Sequence, residues 1–129
     1  MTPVVLFVDD DEDWREALVP RLLRDLPINL WCVGRPERAL EILHTTPPDL
    51  MITDLLMPAS HIDGHRLALE SLRLGINTMI LSSLPSLGVA SVPRVSKDKA
   101  VGSLCMEVCR ALGWDPKRYC GRREPGAWA

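Results

Sequence analysis

Apolar and polar positions fall into alternating blocks along this chain. Short apolar runs at Val4–Val8, Ile28–Val33, Leu50–Thr53 and Thr78–Ser82, with a weaker one at Val92–Val95, read as buried strands. Between them, Glu12–Leu26, Pro36–His44 and Gly64–Leu74 carry apolar residues at helical spacing, and a last such segment covers Lys99–Leu112. Strand–helix alternation of this kind predicts a parallel sheet covered by helices on both sides. Pro36 suits a first helical turn, Pro47-Pro48 ends the second helix, and Gly75 stops the third. Pro20 lies inside the first helical segment, where its missing N–H predicts a kink.

The rhythm fails once. Nine residues separate Ser82 from Val92, and they include Pro85 and Gly88. Parallel neighbours need a crossover, but this one is too short and too broken for a full helix. A loop or single turn is therefore expected in place of a fourth crossover helix. Beyond Leu112, Gly113-Trp114-Asp115-Pro116 signals a turn. The chain thus divides into a domain at 1–112 and a tail at 113–129, flexible or docked through Tyr119 and Trp128.

Composition narrows the function classes. The chain has 129 residues, 47% hydrophobic and 25% charged, which describes one globular domain. A net charge of −2 gives no electrostatic footprint for nucleic acid. The apolar runs are too short to span a bilayer and the N-terminus lacks a secretory layout, so a cytoplasmic protein is expected, with neither nucleic acid nor membrane as partner. Cys32, Cys105, Cys109 and Cys120 include no C-x-x-C pair, and reduced, partly buried thiols are expected. His44, His61 and His65 read as surface residues.

Candidate chemistry lies at the strand ends. In an open parallel sheet, ligands bind beyond the carboxyl ends of the strands. There the first strand delivers Asp9-Asp10, the third Asp54, the fourth Ser82-Ser83 and the fifth Lys97. Strand alternation favours Ser82 over Ser83. Three converging carboxylates are costly without a cation, and a hard divalent ion prefers oxygen donors. A carboxylate can take a phosphoryl group, while a hydroxyl and an ammonium can hold its oxygens. The coherent chemistry is Mg²⁺-assisted phosphorylation of an aspartate. Asp11, Glu12 and Asp13 read instead as charges at a helix start.

These residues match a known pattern. "VLFVDDDEDWREAL", "PDLMITDLLMP" followed by "IDG", "MILSS" and "VSK" resemble the receiver domain of two-component response regulators, over about residues 4–112. The resemblance implies a flavodoxin-like, doubly wound, five-stranded parallel sheet of order 2-1-3-4-5. It implies Asp54 as phosphoacceptor from a sensor histidine kinase or a histidine phosphotransfer protein. Asp10, Asp54 and the Leu56 backbone carbonyl would ligate Mg²⁺ (or Mn²⁺), with Asp9 orienting the metal's waters. Ser82 and Lys97 would hold the phosphoryl group, and Met57-Pro58 with Gly64 would shape the turn after the third strand.

Departures from the pattern concern output. Arg94 stands where family members often carry a switching aromatic, and Asp98 follows Lys97 in place of proline. The expected protein is a stand-alone receiver, not an enzyme beyond its own phosphorylation and dephosphorylation. It would act by protein–protein contact or onward phosphorelay, with homodimerisation allowed. The alternative is a phosphorylation-independent interaction module, favoured by Arg94 and the short crossover. An aspartyl-phosphate phosphatase is disfavoured, because Asp54-Leu55-Leu56 offers no second acid.

Overall fold

β1 (Val4–Val8) runs through the middle of the sheet in the computed structural model, which describes residues 1–58, 60–83 and 91–121. Around it lie β2 (Asn29–Val33), β3 (Leu50–Thr53), β4 (Asn77–Ser82) and β5 (Arg94–Ser96), all parallel, in the order β2-β1-β3-β4-β5. Phe7 pairs with Cys32 on one side and with Ile52 on the other. The expected doubly wound topology is therefore the observed one.

Helices cover both faces, which explains why β1 is apolar throughout and β3 is apolar up to Thr53. Successive side chains point to opposite sides, so each strand feeds two cores. Val5, Phe7, Leu50, Ile52, Met79 and Leu81 pack with Leu22 and Leu23 of the first helical region and with Leu104 and Val108. Leu6, Val8 and Met51 pack on the other side with Ala39, Ile42, Leu43 and Leu67. The helices on this second side are α2 (Pro36–Thr45) and α3 (Gly64–Arg73). α3 is pinned to β4 by a buried hydrogen bond between the Ser71 and Thr78 hydroxyls, 2.7 Å apart, and the Thr78 hydroxyl also donates to the Ile76 carbonyl.

On the first side, a π-helical turn (Trp14–Leu18) leads into α1 (Val19–Leu22). The Val19 N–H donates to the Trp14 carbonyl, five residues back. Proline at 20 cannot donate and its ring crowds the preceding turn, so the widened turn is how this helix admits it. The helix stops at Leu22, short of the expected Leu26. β5 begins at Arg94 rather than Val92, after Pro93, whose carbonyl accepts from the Ile80 N–H at 2.9 Å. Among the described residues no helix lies between β4 and β5. The loop expected in that crossover falls on residues 84–90 and lies outside the described residues, as does Trp128.

α4 (Ala100–Ala111) follows a 3₁₀ turn at Lys97–Lys99. It ends in a Schellman stop: Gly113 takes φ of 75°, its N–H donates to the Arg110 carbonyl, and the Trp114 N–H donates to the Cys109 carbonyl. The chain then turns back into α5 (Pro116–Tyr119), capped by the Asp115 side chain, which accepts from the Lys117 N–H. This reversal corrects the expectation of four reduced thiols. Cys120 returns over α4 and is disulfide-bonded to Cys105, fifteen residues away, while Cys32 and Cys109 are free. Spacing alone could not reveal it, because the reversal depends on the stop at Gly113.

Candidate functional site

The carboxyl ends of β1 and β3 lie side by side, since Val8 pairs with Thr53 and the Asp54 N–H donates to the Val8 carbonyl at 3.0 Å. Asp9 and Asp54 therefore emerge together, and both are buried. Asp10 is the most exposed of the three acids. One carboxylate oxygen from each of Asp9, Asp10 and Asp54 falls within a cluster whose members all lie within 4.8 Å of one another.

Backbone geometry fixes two of these acids. Asp9 Oδ1 accepts from the Asp11 N–H at 2.9 Å, and Asp54 Oδ1 accepts from the Leu55 N–H at 2.7 Å. The Thr53 hydroxyl donates to the Asp54 carbonyl at 2.8 Å. The start of α3 seals the turn after β3. The Gly64 N–H donates to the Leu55 carbonyl at 3.0 Å, and a Cβ at Gly64 would lie only 1.6 Å from the Asp54 carbonyl oxygen. The Asp63 side chain caps α3 by accepting from the Arg66 N–H. Met57 of the same turn is buried, whereas Leu56 is 54% exposed.

Lys97 reaches into the acids from the end of β5. Its ammonium lies 2.7 Å from Asp9 Oδ2 and 3.2 Å from Asp54 Oδ2. The first contact is a short ion pair, and the second is also a hydrogen bond. Lys99, the other lysine nearby in sequence, is exposed. Burial pushes the Asp9 carboxyl above its ordinary value, and the Lys97 and Asp11 contacts offset this only in part. Burial also opposes the charge on Lys97, but Asp9 and Asp54 outweigh it and hold the ammonium above its ordinary value. One ammonium against three carboxylates leaves a deficit of positive charge. Hard oxygen donors with that deficit suit a divalent cation of the Mg²⁺ type.

Ser82 ends β4, pairs with Ser96 of β5 and is fully buried, while Ser83 is exposed beyond the strand. Arg94 opens β5, paired with Ile80 and half-buried. While Arg94 stands at the start of β5, Asp9, Asp10, Asp54, Ser82 and Lys97 thus come from four strand ends to one edge of the sheet. Two further residues were not foreseen there. The Trp14 ring lies 4.9 Å from the Lys97 ammonium, a cation–π contact. Arg15 donates to the Asp9 carbonyl at 3.1 Å, and its guanidinium occupies the space that a side chain on Gly34 would need. Their position in the first turn after the acidic pair was the available signal.

Comparison with known proteins follows the same lines. No protein-family model matches the chain. Over 85 residues it is 35% identical to the sensor histidine kinase TmoS of Ectopseudomonas mendocina, a stretch covering 64% of this chain but 8% of that protein. Among solved structures, the receiver domain of the hybrid histidine kinase CckA is 27% identical with a TM-score of 0.67, covering 84% of this chain and 98% of that one. The signal receiver domain of an HD domain-containing protein from Pseudomonas fluorescens Pf-5 shares the fold with a TM-score of 0.77 at 23% identity, covering 88% and 96%. So does the response regulator domain of Thermotoga maritima CheB, with a TM-score of 0.69 at 21% identity, covering 90% and 100%.

Proposed function

The chain has the fold of a response regulator receiver domain, and from that premise we propose that it accepts a phosphoryl group on Asp54 from a sensor histidine kinase or a histidine phosphotransfer protein. The observation that carries this reading is Lys97, whose ammonium touches Asp9 and Asp54 together. Asp54 offers Oδ2 as nucleophile while the Leu55 N–H holds Oδ1 in place. A new bond forms from this oxygen to phosphorus, the phosphorus–nitrogen bond of the donor breaks, and the imidazole leaves. Lys97 remains to pair with the phosphoryl oxygens, and the Ser82 hydroxyl accompanies it. Asp10, Asp54 and the Leu56 backbone carbonyl would hold Mg²⁺ or Mn²⁺, with Asp9 acting on its waters. That ion supplies charge neutralisation at the phosphoryl oxygens.

We assign the phosphoacceptor unit to residues 1–112, with residues 113–121 docked on it through Trp114, Tyr119 and Cys120. Among the described residues no helix is long and apolar enough to cross a membrane. The proposed setting is the cytoplasm. Output runs through a protein target or an onward phosphotransfer, and the only chemistry the chain promotes is on its own Asp54. Acetyl phosphate with Mg²⁺ should add one phosphoryl group, detected by intact mass, and Asp54→Ala should abolish it. An unmodified wild-type chain under these conditions would instead support the phosphorylation-independent module, which Arg94 at the head of β5 favours.

A further inference from the structure

The chemistry proposed above uses none of the cysteines, yet three of them meet. Cys105 and Cys109 lie four residues apart on α4 and share one face. The stop at Gly113 and the capped α5 bring Cys120 over that face. The three sulfurs all lie within 4.8 Å of one another. Cys120 is bonded to Cys105, and its sulfur is 3.7 Å from that of Cys109. A disulfide accounts for two of these sulfurs but not for the third, which is buried against them.

A tetrahedral zinc ion with bonds of about 2.3 Å to sulfur has sulfur–sulfur edges of about 3.8 Å. The separation of Cys109 and Cys120 matches that edge. Trp114 and Tyr119, their rings 5.3 Å apart, pack against the same hydrophobic core as Cys105 and Cys120, a core that includes Cys109.

We propose that the reduced chain binds a thiophilic d¹⁰ cation, Zn²⁺, on the sulfurs of Cys105, Cys109 and Cys120, with the fourth position left to water or an external ligand. Thiolate, not thiol, is the ligand form, so metal uptake would release the thiol protons. Disulfide and metal exclude each other, because the bond consumes two of the three donors. Opening the disulfide takes two electrons and two protons from an external dithiol, which leaves as its own disulfide.

The full chain, reduced with a dithiol and then freed of it without oxygen, is titrated with Zn²⁺ against a chromophoric chelator. Cd²⁺ serves as a second probe, through its sulfur-to-metal charge-transfer absorption. One ion per chain is expected, with Cys105→Ser, Cys109→Ser and Cys120→Ser each weakening binding on the order of 100-fold and Cys32→Ser leaving it unchanged. Alkylation of the wild-type chain, read by mass spectrometry, tests the site without any variant: Zn²⁺ should shield those three thiols together. Wild-type protein without the charge-transfer band, Zn²⁺ binding unaffected by Cys109→Ser, or three thiols alkylated equally fast with and without Zn²⁺ would each overturn the proposal.

Discussion

The Lys97 ammonium lies 2.7 Å from the Asp9 carboxylate, and Asp9 has no exposed surface at all. A buried charge with one cationic partner is vulnerable to loss of that partner. Lys97→Met is expected to cost about 3 kcal/mol at neutral pH, measured by denaturant unfolding. Lys97 has its folded pKa raised, so its stabilisation is complete below the unfolded value of 10.5 and disappears as pH rises through the folded one. The variant should also recover toward wild type in acid, where Asp9 takes up a proton. A deficit that stays constant down to low pH would refute the pairing.

Asp9 has the opposite consequence. Its pKa is raised chiefly by burial, so its contribution favours the fold below the unfolded value of 3.8 and is lost as pH climbs through the raised one. Asp9→Asn should therefore melt at a higher temperature than wild type in metal-free buffer near neutral pH. Added Mg²⁺ should raise the wild-type melting temperature more than that of the variant. A variant that is less stable without metal would count against this balance.

Gly64→Ala should be among the most damaging single changes. Its Cβ would sit 1.6 Å from the Asp54 carbonyl oxygen, which is backbone and has nowhere to retreat. A loss of about 3 kcal/mol or more is expected. Slower phosphorylation of Asp54 by acetyl phosphate should accompany it. Near-wild-type stability would show that the turn after β3 relaxes more readily than its packing implies.

If Asp54 is phosphorylated as proposed, Leu56 is expected to lengthen the lifetime of that state. It stands 54% exposed two residues after Asp54, where an apolar side chain hinders rather than orients an attacking water. Leu56→Asn should shorten the lifetime of the aspartyl phosphate several-fold, followed as phosphate release from purified phosphorylated protein. Faster release from wild type would contradict the idea.

Most of the fold was legible because its signals were local. β1, β3 and the start of α3 carry short apolar runs or a cap followed by glycine, and their bounds came out as expected. Asp9, Asp54, Ser82 and Lys97 were legible because strand ends in a parallel sheet converge by construction. What escaped were relations that depend on rotation or on chain reversal. Trp14 reaches Lys97 because of where the first helix places it, and no spacing rule encodes that contact. Cys120 reaches Cys105 only after Gly113 adopts its left-handed conformation. The start of β5 was misjudged because Pro93 contributes a carbonyl but no N–H to the ladder.

The π-helical turn at Trp14–Leu18 sets the phase of the whole segment. A turn with one additional residue offsets everything before it by about 100° around the axis relative to a continuous α-helix. Leu22 and Leu23 can then face the core while the Trp14 ring still faces the ammonium. Deleting one residue between Trp14 and Val19 would leave the hydrophobic content nearly intact and swing the indole away from its cation. The sensitivity of this helix thus lies in counting: its length between the acidic pair and Pro20 matters more than the identity of most residues within it.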